Sequence, residues 1–354
     1  MAENAGEVNG IEGRGLKTSP IVSIHPALVP DQVCIPDAEA HIIGGVPESV
    51  NGFGPLIVEQ KVSQVGPARI DISYQRIGSG DAPPVLLIMG IAAQSIAWPD
   101  DFCHALVQHG LQVIRFDNRD SGLSTHLTDT PPPDLPAALA GDLSSVSYTL
   151  SDMAADAAGL LDALGFSTAH IVGASMGGAI AQTMAIEHPQ RVRSLTSMMS
   201  TTGNMSVGQP SPEVLREVFS GSRAVTRDEV VRQALRAFRA VGSPGYPTDD
   251  DEVADRAGRA YDRAYDPIGV ARQAIASVAS GDRTALLRHV EVPTLVIHGL
   301  ADRMCDVSGG RATAEAIPGA ELEVVEGMGH NLPPGLRPRL AARIADFVWR
   351  VEHR

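Results

Sequence analysis

Ten consecutive residues constrain this chain more than any others: Ala169-His170-Ile171-Val172-Gly173-Ala174-Ser175-Met176-Gly177-Gly178. A short β-branched run enters a Gly-x-Ser-x-Gly pattern, and an alanine-rich, helix-forming stretch leaves it. A strand that passes into a helix over so few residues needs a sharp turn with a strained backbone at Ser175. Side chains at the flanking positions would crowd that turn, and Gly173 and Gly177 remove them. The serine hydroxyl is left exposed at the top of a sheet. The first N–H groups of the following helix point at the same spot.

The rest of the chain supplies that sheet. Leu56 to Ser63 and Ile70 to Ile77 mix apolar and polar residues, as two antiparallel strands at a half-solvated edge do. Val85 to Met89 and Leu111 to Phe116 are continuous apolar runs, the pattern of strands buried on both faces. A helix is expected over Phe102 to Gln108. Thr149 and Asp152 form a capping box ahead of a helix whose apolar face runs from Leu150 to Leu164. Ser194 to Met199, Pro293 to His298 and Glu321 to Val325 read as further strands. Helices are expected near Arg311 to Ile317 and over about 335 to 350. Strands alternating with helices predict an α/β fold, a mostly parallel sheet covered on both faces.

The 354 residues, 44% hydrophobic, suffice for one large core with an inserted subdomain. Residues 1–55 read as an N-terminal extension, partly disordered, poor in apolar periodicity at first and then studded with Pro and Gly. Residues 56–202 form the first part of the core and 286–354 the second. Residues 203–285 hold no convincing buried strand and read as a helical lid. One helix there carries Val231, Leu235, Phe238 and Val241 on a stripe, with Asp228, Arg232 and Arg236 on the charged face. A second is suggested by Asp255, Arg259 and Arg263, with Tyr261 and Tyr265 one turn apart.

A formal charge of −14 argues against nucleic acid and anionic membranes as partners. No apolar run reaches the roughly 18 residues of a membrane span, and the N-terminus lacks a signal-peptide pattern. The cysteines, Cys34, Cys103 and Cys305, are odd in number and without metal-ligand spacing. They read as free thiols of a cytoplasmic protein. No phosphate-cradling glycine motif stands where a nucleotide would need it. No cofactor and no metal are expected. The sequence leaves the oligomeric state open.

A serine hydroxyl needs a base, and the base needs an orienting carboxylate. In this architecture the order is Ser, then Asp or Glu, then His. His330 follows the last strand in a glycine-rich loop, Glu326-Gly327-Met328-Gly329-His330, and is the favoured base. His298, at a strand end, is its rival and is better suited to packing. The loop after the penultimate strand offers Asp302, favoured for its nearness to the strand end, and Asp306. Two N–H donors for an oxyanion are expected at Met176 and at Ile91, where Gly90 permits the chain to reverse. Gln94 reads as a polar wall of the pocket. Phe238, Tyr246, Tyr261 and Tyr265 read either as an apolar substrate pocket or as the core of the lid. Asp117, Arg119 and Asp120 read as a structural turn with an internal ion pair.

Several stretches together resemble the α/β-hydrolase superfamily, and within it the aclacinomycin methylesterase-like and lipase/esterase-type serine hydrolases. They are Leu86 to Gly90, Trp98-Pro99-Asp100, Val113 to Ser124, Gly173 to Gly177, Pro293 to Asp302 and Gly327 to His330. The resemblance spans about residues 68 to 350. Many superfamily members carry His-Gly where this chain has Met89-Gly90, and the methylesterase-like branch shares the Met. The resemblance implies a triad of Ser175, Asp302 and His330, with donors at Ile91 and Met176. The expected activity is hydrolysis of a small-molecule or lipid carboxylic ester through an acyl-enzyme. Thioester or phospholipid acyl hydrolysis uses the same machinery. Perhydrolase or lyase chemistry on this fold, and a catalytically silent binding protein, are the other classes.

Overall fold

The computed structural model describes residues 57–219 and 224–354. The N-terminal extension expected over residues 1–55, and Cys34 within it, lie outside the described residues. The strands are β1 (Glu59–Val65), β2 (Ile70–Ile77), β3 (Pro84–Ile88), β4 (Gln112–Phe116), β5 (Ala169–Ala174), β6 (Val192–Met198), β7 (Thr294–Gly299) and β8 (Glu321–Val325). They form one eight-stranded sheet in the order β1-β2-β4-β3-β5-β6-β7-β8. The β1–β2 and β2–β4 pairs are antiparallel, and every other pair is parallel.

The helices are α1 (Asp100–Gln108), α2 (Leu135–Leu139), α3 (Leu150–Ala163), α4 (Met176–Glu187), α5 (Pro212–Phe219), α6 (Arg227–Val241), α7 (Asp250–Arg263), α8 (Pro267–Ala279), α9 (Thr284–Leu287), α10 (Val307–Ala316) and α11 (Arg337–Glu352). The continuous apolar runs divide between the two faces. Leu86 and Ile88 of β3 pack with α3 and α4, while Val85 and Leu87 pack with α1 and α11. Full burial of each such side chain stabilises the fold by about 1.5–3 kcal/mol. The capping box at Thr149 and Asp152 is present. Cys103 and Cys305 are free and buried. No helix among the described residues is long and apolar enough to cross a membrane.

Among the described residues, five helices, α5 to α9, lie between β6 and β7. The sequence reading resolves α6 and α7 but misses α5, α8 and α9; for α8, Asp266 and Pro267 supply the start. The Asp266 carboxylate caps the N–H groups of Ile268 and Gly269 at 3.0 and 2.9 Å, and Pro267 is pre-set for the first helical turn. Tyr265 is not on α7 as expected: the helix ends at Arg263, and Ala264 is already extended, with φ −171°. Arg263, at the end of α7, turns toward the sheet. It reaches Asp117 at 2.9 Å and Glu59 at 2.5 Å.

The turn after β4 also departs from expectation. Its charges do not pair internally. Arg119 holds Asp156 of α3 through two nitrogens, at 2.6 and 2.7 Å. Asp120 holds Arg272 of α8 through two bonds of 2.8 Å. Tyr148 and the Leu127 N–H donate to the remaining lone pairs of Asp120. Buried charges need several partners, and a short turn cannot supply them. Burial raises the Asp120 pKa, but the Arg272, Leu127 and Tyr148 hydrogen bonds outweigh it and hold the carboxyl below its ordinary value.

His126 sits beside this pair with acceptors at both ring nitrogens, Asp266 Oδ2 at 2.7 Å and the Gly122 carbonyl at 2.9 Å. Both bonds form at once only in the protonated ring. Desolvation pulls the His126 pKa down, and the Gly122 carbonyl and Asp266 carboxylate more than offset it, leaving it raised.

Two outcomes are expected. Asp120→Asn leaves buried Arg272 with only Asp266, at 3.6 Å, as countercharge and should lower unfolding free energy by about 3 kcal/mol in urea titration; a loss under about 1 kcal/mol would show the pair to be dispensable. The folded protein holds the His126 proton more tightly than the unfolded chain does. That stabilisation is fully present below about pH 6.5, the unfolded-chain value, and fades as pH rises through the folded-state value. The stability gap between the wild type and His126→Gln should therefore be larger at pH 6 than at pH 8.5, and an equal gap at both would contradict the assignment.

Candidate active site

Ser175 stands between the last residue of β5 and the first of α4, with φ 57° and ψ −124°. A non-glycine residue at positive φ costs about 1–3 kcal/mol and persists only where its surroundings over-determine it. Here they do. A Cβ on Gly173 would lie 2.1 Å from the Gly177 carbonyl oxygen, and one on Gly177 would lie 2.1 Å from the Ile88 carbonyl oxygen. The Ser175 N–H donates to the Met198 carbonyl at 3.0 Å. The strain is held by β3 on one side and β6 on the other.

His330 approaches from the loop after β8. The Ser175 hydroxyl donates to His330 Nε2 at 2.9 Å, and His330 Nδ1–H donates to Asp302 Oδ2 at 2.7 Å. The other carboxylate oxygen of Asp302 accepts the N–H groups of Met304 and Cys305 at 2.9 and 2.8 Å. The Asp302 side chain is fully buried and that of His330 nearly so. Asp306 is elsewhere: it caps α10, accepting the Ser308 N–H at 2.9 Å, and the Ser308 hydroxyl and N–H hold its carboxyl below the usual range. His298 is buried in β7 and donates through Nε2 to the Cys305 carbonyl at 2.7 Å. Burial pushes its pKa down, so it buttresses the Asp302 loop as a neutral ring.

The loop after β3 closes over the serine. A Cβ on Gly90 would sit 2.9 Å from Ser175 Cβ. The Asn118 amide donates to the Met89 carbonyl at 2.9 Å, and the Ser121 hydroxyl to the Ala93 carbonyl at 2.9 Å. Ala92, at φ 60°, donates its N–H to Gln273 Oε1 at 3.0 Å, and Gln273 Nε2 donates to the Arg119 carbonyl at 2.9 Å. The N–H groups of Ile91 and Met176 have no acceptor among the described residues. Sequence reasoning missed Gln273, a lone amide on an alanine-rich helix whose partner lies 181 positions away.

It also missed Ser243. Its hydroxyl accepts the Gly329 N–H at 2.8 Å and donates to Asn331 Oδ1 at 2.6 Å, while the His330 N–H donates to the Val241 carbonyl at 2.7 Å. The histidine loop is thereby tied to the end of α6.

The residues read as pocket lining are scattered. Gln94 is buried and its amide is committed. It donates to the carbonyls of Ala260 and Ala264 at 2.7 and 2.9 Å and accepts from Arg263 at 2.6 Å. Together these bonds clamp the end of α7. Phe238 borders a cavity of about 220 Å³ whose floor is Ala92 and Ala93. Tyr246 packs against Gly327 and Gly335. The Tyr261 and Tyr265 rings lie 5.2 Å apart, tilted by 34°, and their hydroxyls donate to the carbonyls of Val225 and Ala224. A larger cavity, about 630 Å³, borders Asp302, Arg303 and Arg239 but not Ser175. Among the described residues, Asp120, His126 and Asp266 lie close enough together to ligate a metal. Arg272 takes both oxygens of Asp120 and Asp266 takes one nitrogen of His126, so those donors are already spent on one another.

A family model described as alpha/beta hydrolase fold matches residues 83–333. Rhodomycin D methylesterase DnrP of Streptomyces peucetius is 31% identical over 290 residues, covering 75% of this chain and 92% of that protein. Rhodomycin D methylesterase DauP of Streptomyces sp. strain C5 is 30% identical over 288 residues, covering 76% and 91%. Among solved structures, a thermophilic esterase from Thermogutta terrifontis superposes with a TM-score of 0.59 at 26% identity, covering 82% of this chain and 99% of that one. A meta-cleavage product hydrolase from Pseudomonas fluorescens IP01 gives 0.62 at 20% identity over 81% and 98%, a likeness of fold alone. With a family match over most of its length, this chain belongs to the α/β-hydrolase fold family.

Proposed function

We propose that the protein is a carboxylic-ester hydrolase in which Ser175, His330 and Asp302 act as nucleophile, base and orienting acid. The single observation that carries the reading is the unbroken hydrogen-bond chain from the Ser175 hydroxyl through His330 to Asp302. Two relatives that are methylesterases by name support the ester as substrate class.

The chemistry follows from the donors. Asp302, with one oxygen saturated by two N–H groups, is a pure acceptor toward His330 Nδ1–H. It leaves the lone pair of Nε2 facing Ser175. As the serine oxygen bonds the ester carbonyl carbon, its proton passes to Nε2, and Asp302 stabilises the imidazolium. The tetrahedral oxyanion lies between the Ile91 and Met176 N–H groups, which carry no other acceptor; each such donor contributes about 3–4 kcal/mol at the transition state. His330 returns the proton to the departing alkoxide, releasing alcohol and leaving an acyl-serine. Water, deprotonated by the same nitrogen, then frees the acid. Residues 56–202 and 286–354 serve as the catalytic core and 203–285 as a lid, Gln273 acting from α8 as a positioning residue for the loop that bears Ile91.

A fluorophosphonate probe should label the wild type and not Ser175→Ala, and kcat on p-nitrophenyl acyl esters should fall by about 10⁴-fold or more in that variant. Labelling that persists in Ser175→Ala would remove the serine from the role. The two carboxylates separate in a second comparison. Asp302→Asn should lower kcat by about 10⁴-fold, whereas Asp306→Ala should cost about 1 kcal/mol of stability as a lost helix cap and keep most of the turnover. The reverse pattern in steady-state kinetics would reassign the acid.

A further inference from the structure

The small cavity between the β3 loop, α6 and α7 is apolar on nearly every side. Phe238, Val253, Ala257 and Ala260 wall it, and Ala92 and Ala93, directly after Ile91, form its floor. Gln94 borders it with an amide already committed on both sides. Of the described residues, the one charged residue bordering it is the guanidinium-bearing Arg256.

That guanidinium is short of partners. It carries five N–H donors, yet among the described residues it meets one acceptor, Glu252 Oε1, at a long 3.3 Å. The same oxygen also receives Arg337, which has Asp101 at 2.9 Å and the Leu332 carbonyl at 3.0 Å besides. One carboxylate thus serves two arginines, and Arg337 is the better supplied. The Arg256 side chain is only 25% exposed. Burial pushes its pKa down against the pull of Glu252. A cation largely removed from water calls for an anion with matching geometry, and a carboxylate pairs with the guanidinium fork through two parallel bonds.

We infer that this cavity is a substrate subsite for a short apolar arm ending in a free carboxylate, with Arg256 as its specificity-determining residue. The inference rests on the reading of Ser175 as nucleophile. At about 220 Å³ the space is below the range of drug-sized pockets and suits one small arm of an ester. The ester carbonyl then lies toward Ile91, and the apolar walls exclude water from the ion pair.

Matched esters test this with the full chain. On the acyl side, monomethyl adipate is compared with methyl hexanoate; on the alcohol side, 4-acetoxybutanoate is compared with butyl acetate. The wild type should favour the carboxylate-bearing ester of at least one pair by about tenfold or more in kcat/KM. That ratio should fall toward one in Arg256→Gln and recover in part in Arg256→Lys. Free adipate should inhibit p-nitrophenyl acetate hydrolysis by the wild type and lose that effect in Arg256→Gln. If Arg256→Gln fails to fold, Ala257→Phe fills the same cavity and should erase the same ratio. A wild type indifferent to the carboxylate in both pairs, or a preference that survives Arg256→Gln, overturns the subsite. Loss of p-nitrophenyl acetate turnover in Ser175→Ala keeps the two readings apart. Ser175-dependent turnover without carboxylate preference defeats only the subsite, whereas Ser175-independent turnover defeats the nucleophile assignment beneath it.

Discussion

A backbone approach too close for any side chain governs this molecule. The first turn of α4 lies against the ends of β3 and β5 so tightly that Cβ atoms at Gly173 and Gly177 would overlap carbonyl oxygens. Helix and sheet are locked in register at that point, and Ser175 has no room to relax out of its positive φ. The strain is local and small beside the apolar burial on both faces of the sheet. A strained residue stays strained only when the fold around it is stiff. The fully buried β3, β4 and β5 supply that stiffness.

A second tier of order comes from buried polar groups, not from the apolar core. The exposed faces of α6 and α7 are strongly charged, and α7 is acidic in its first turn. What fastens them to the sheet is a set of specific bonds. Arg272 holds Asp120, Arg263 holds Asp117, Gln94 holds the end of α7 and Gln273 holds Ala92. Each joins a helix to one of the two loops, after β3 or β4, that edge the serine. Removing one member of such a pair leaves the other buried and uncompensated. The loops around the candidate site therefore inherit their geometry from helices far along the chain.

This explains which parts of the protein were legible in its sequence. Strands buried on both faces announce themselves as apolar runs, and β4 was read to its observed end at Phe116. Ser175, Asp302 and His330 were legible because each follows a strand end in a glycine-marked loop, and in parallel sheets such loops share one edge. The rest is written in contacts rather than in patterns. Asp117, Arg119 and Asp120 looked self-sufficient because their partners lie in other elements, Arg272 at a separation of 152 positions. Ser243 is one serine in a Gly-Ser-Pro-Gly stretch until Gly329 is set beside it. Gln94 resembled a pocket wall because an amide beside an active loop has two uses, and the sequence does not tell which. The start of α8 was the exception, a cap and proline signal that was present and went unread.

The tie between the end of α6 and the loop bearing His330 has a mechanical meaning. Both the imidazole's own amide and the glycine before it are anchored to Val241 and Ser243. Displacing that helix end would carry the imidazole away from the Ser175 hydroxyl, now 2.9 Å from it. The place of the ring is thus set jointly by two stretches of chain 86 positions apart.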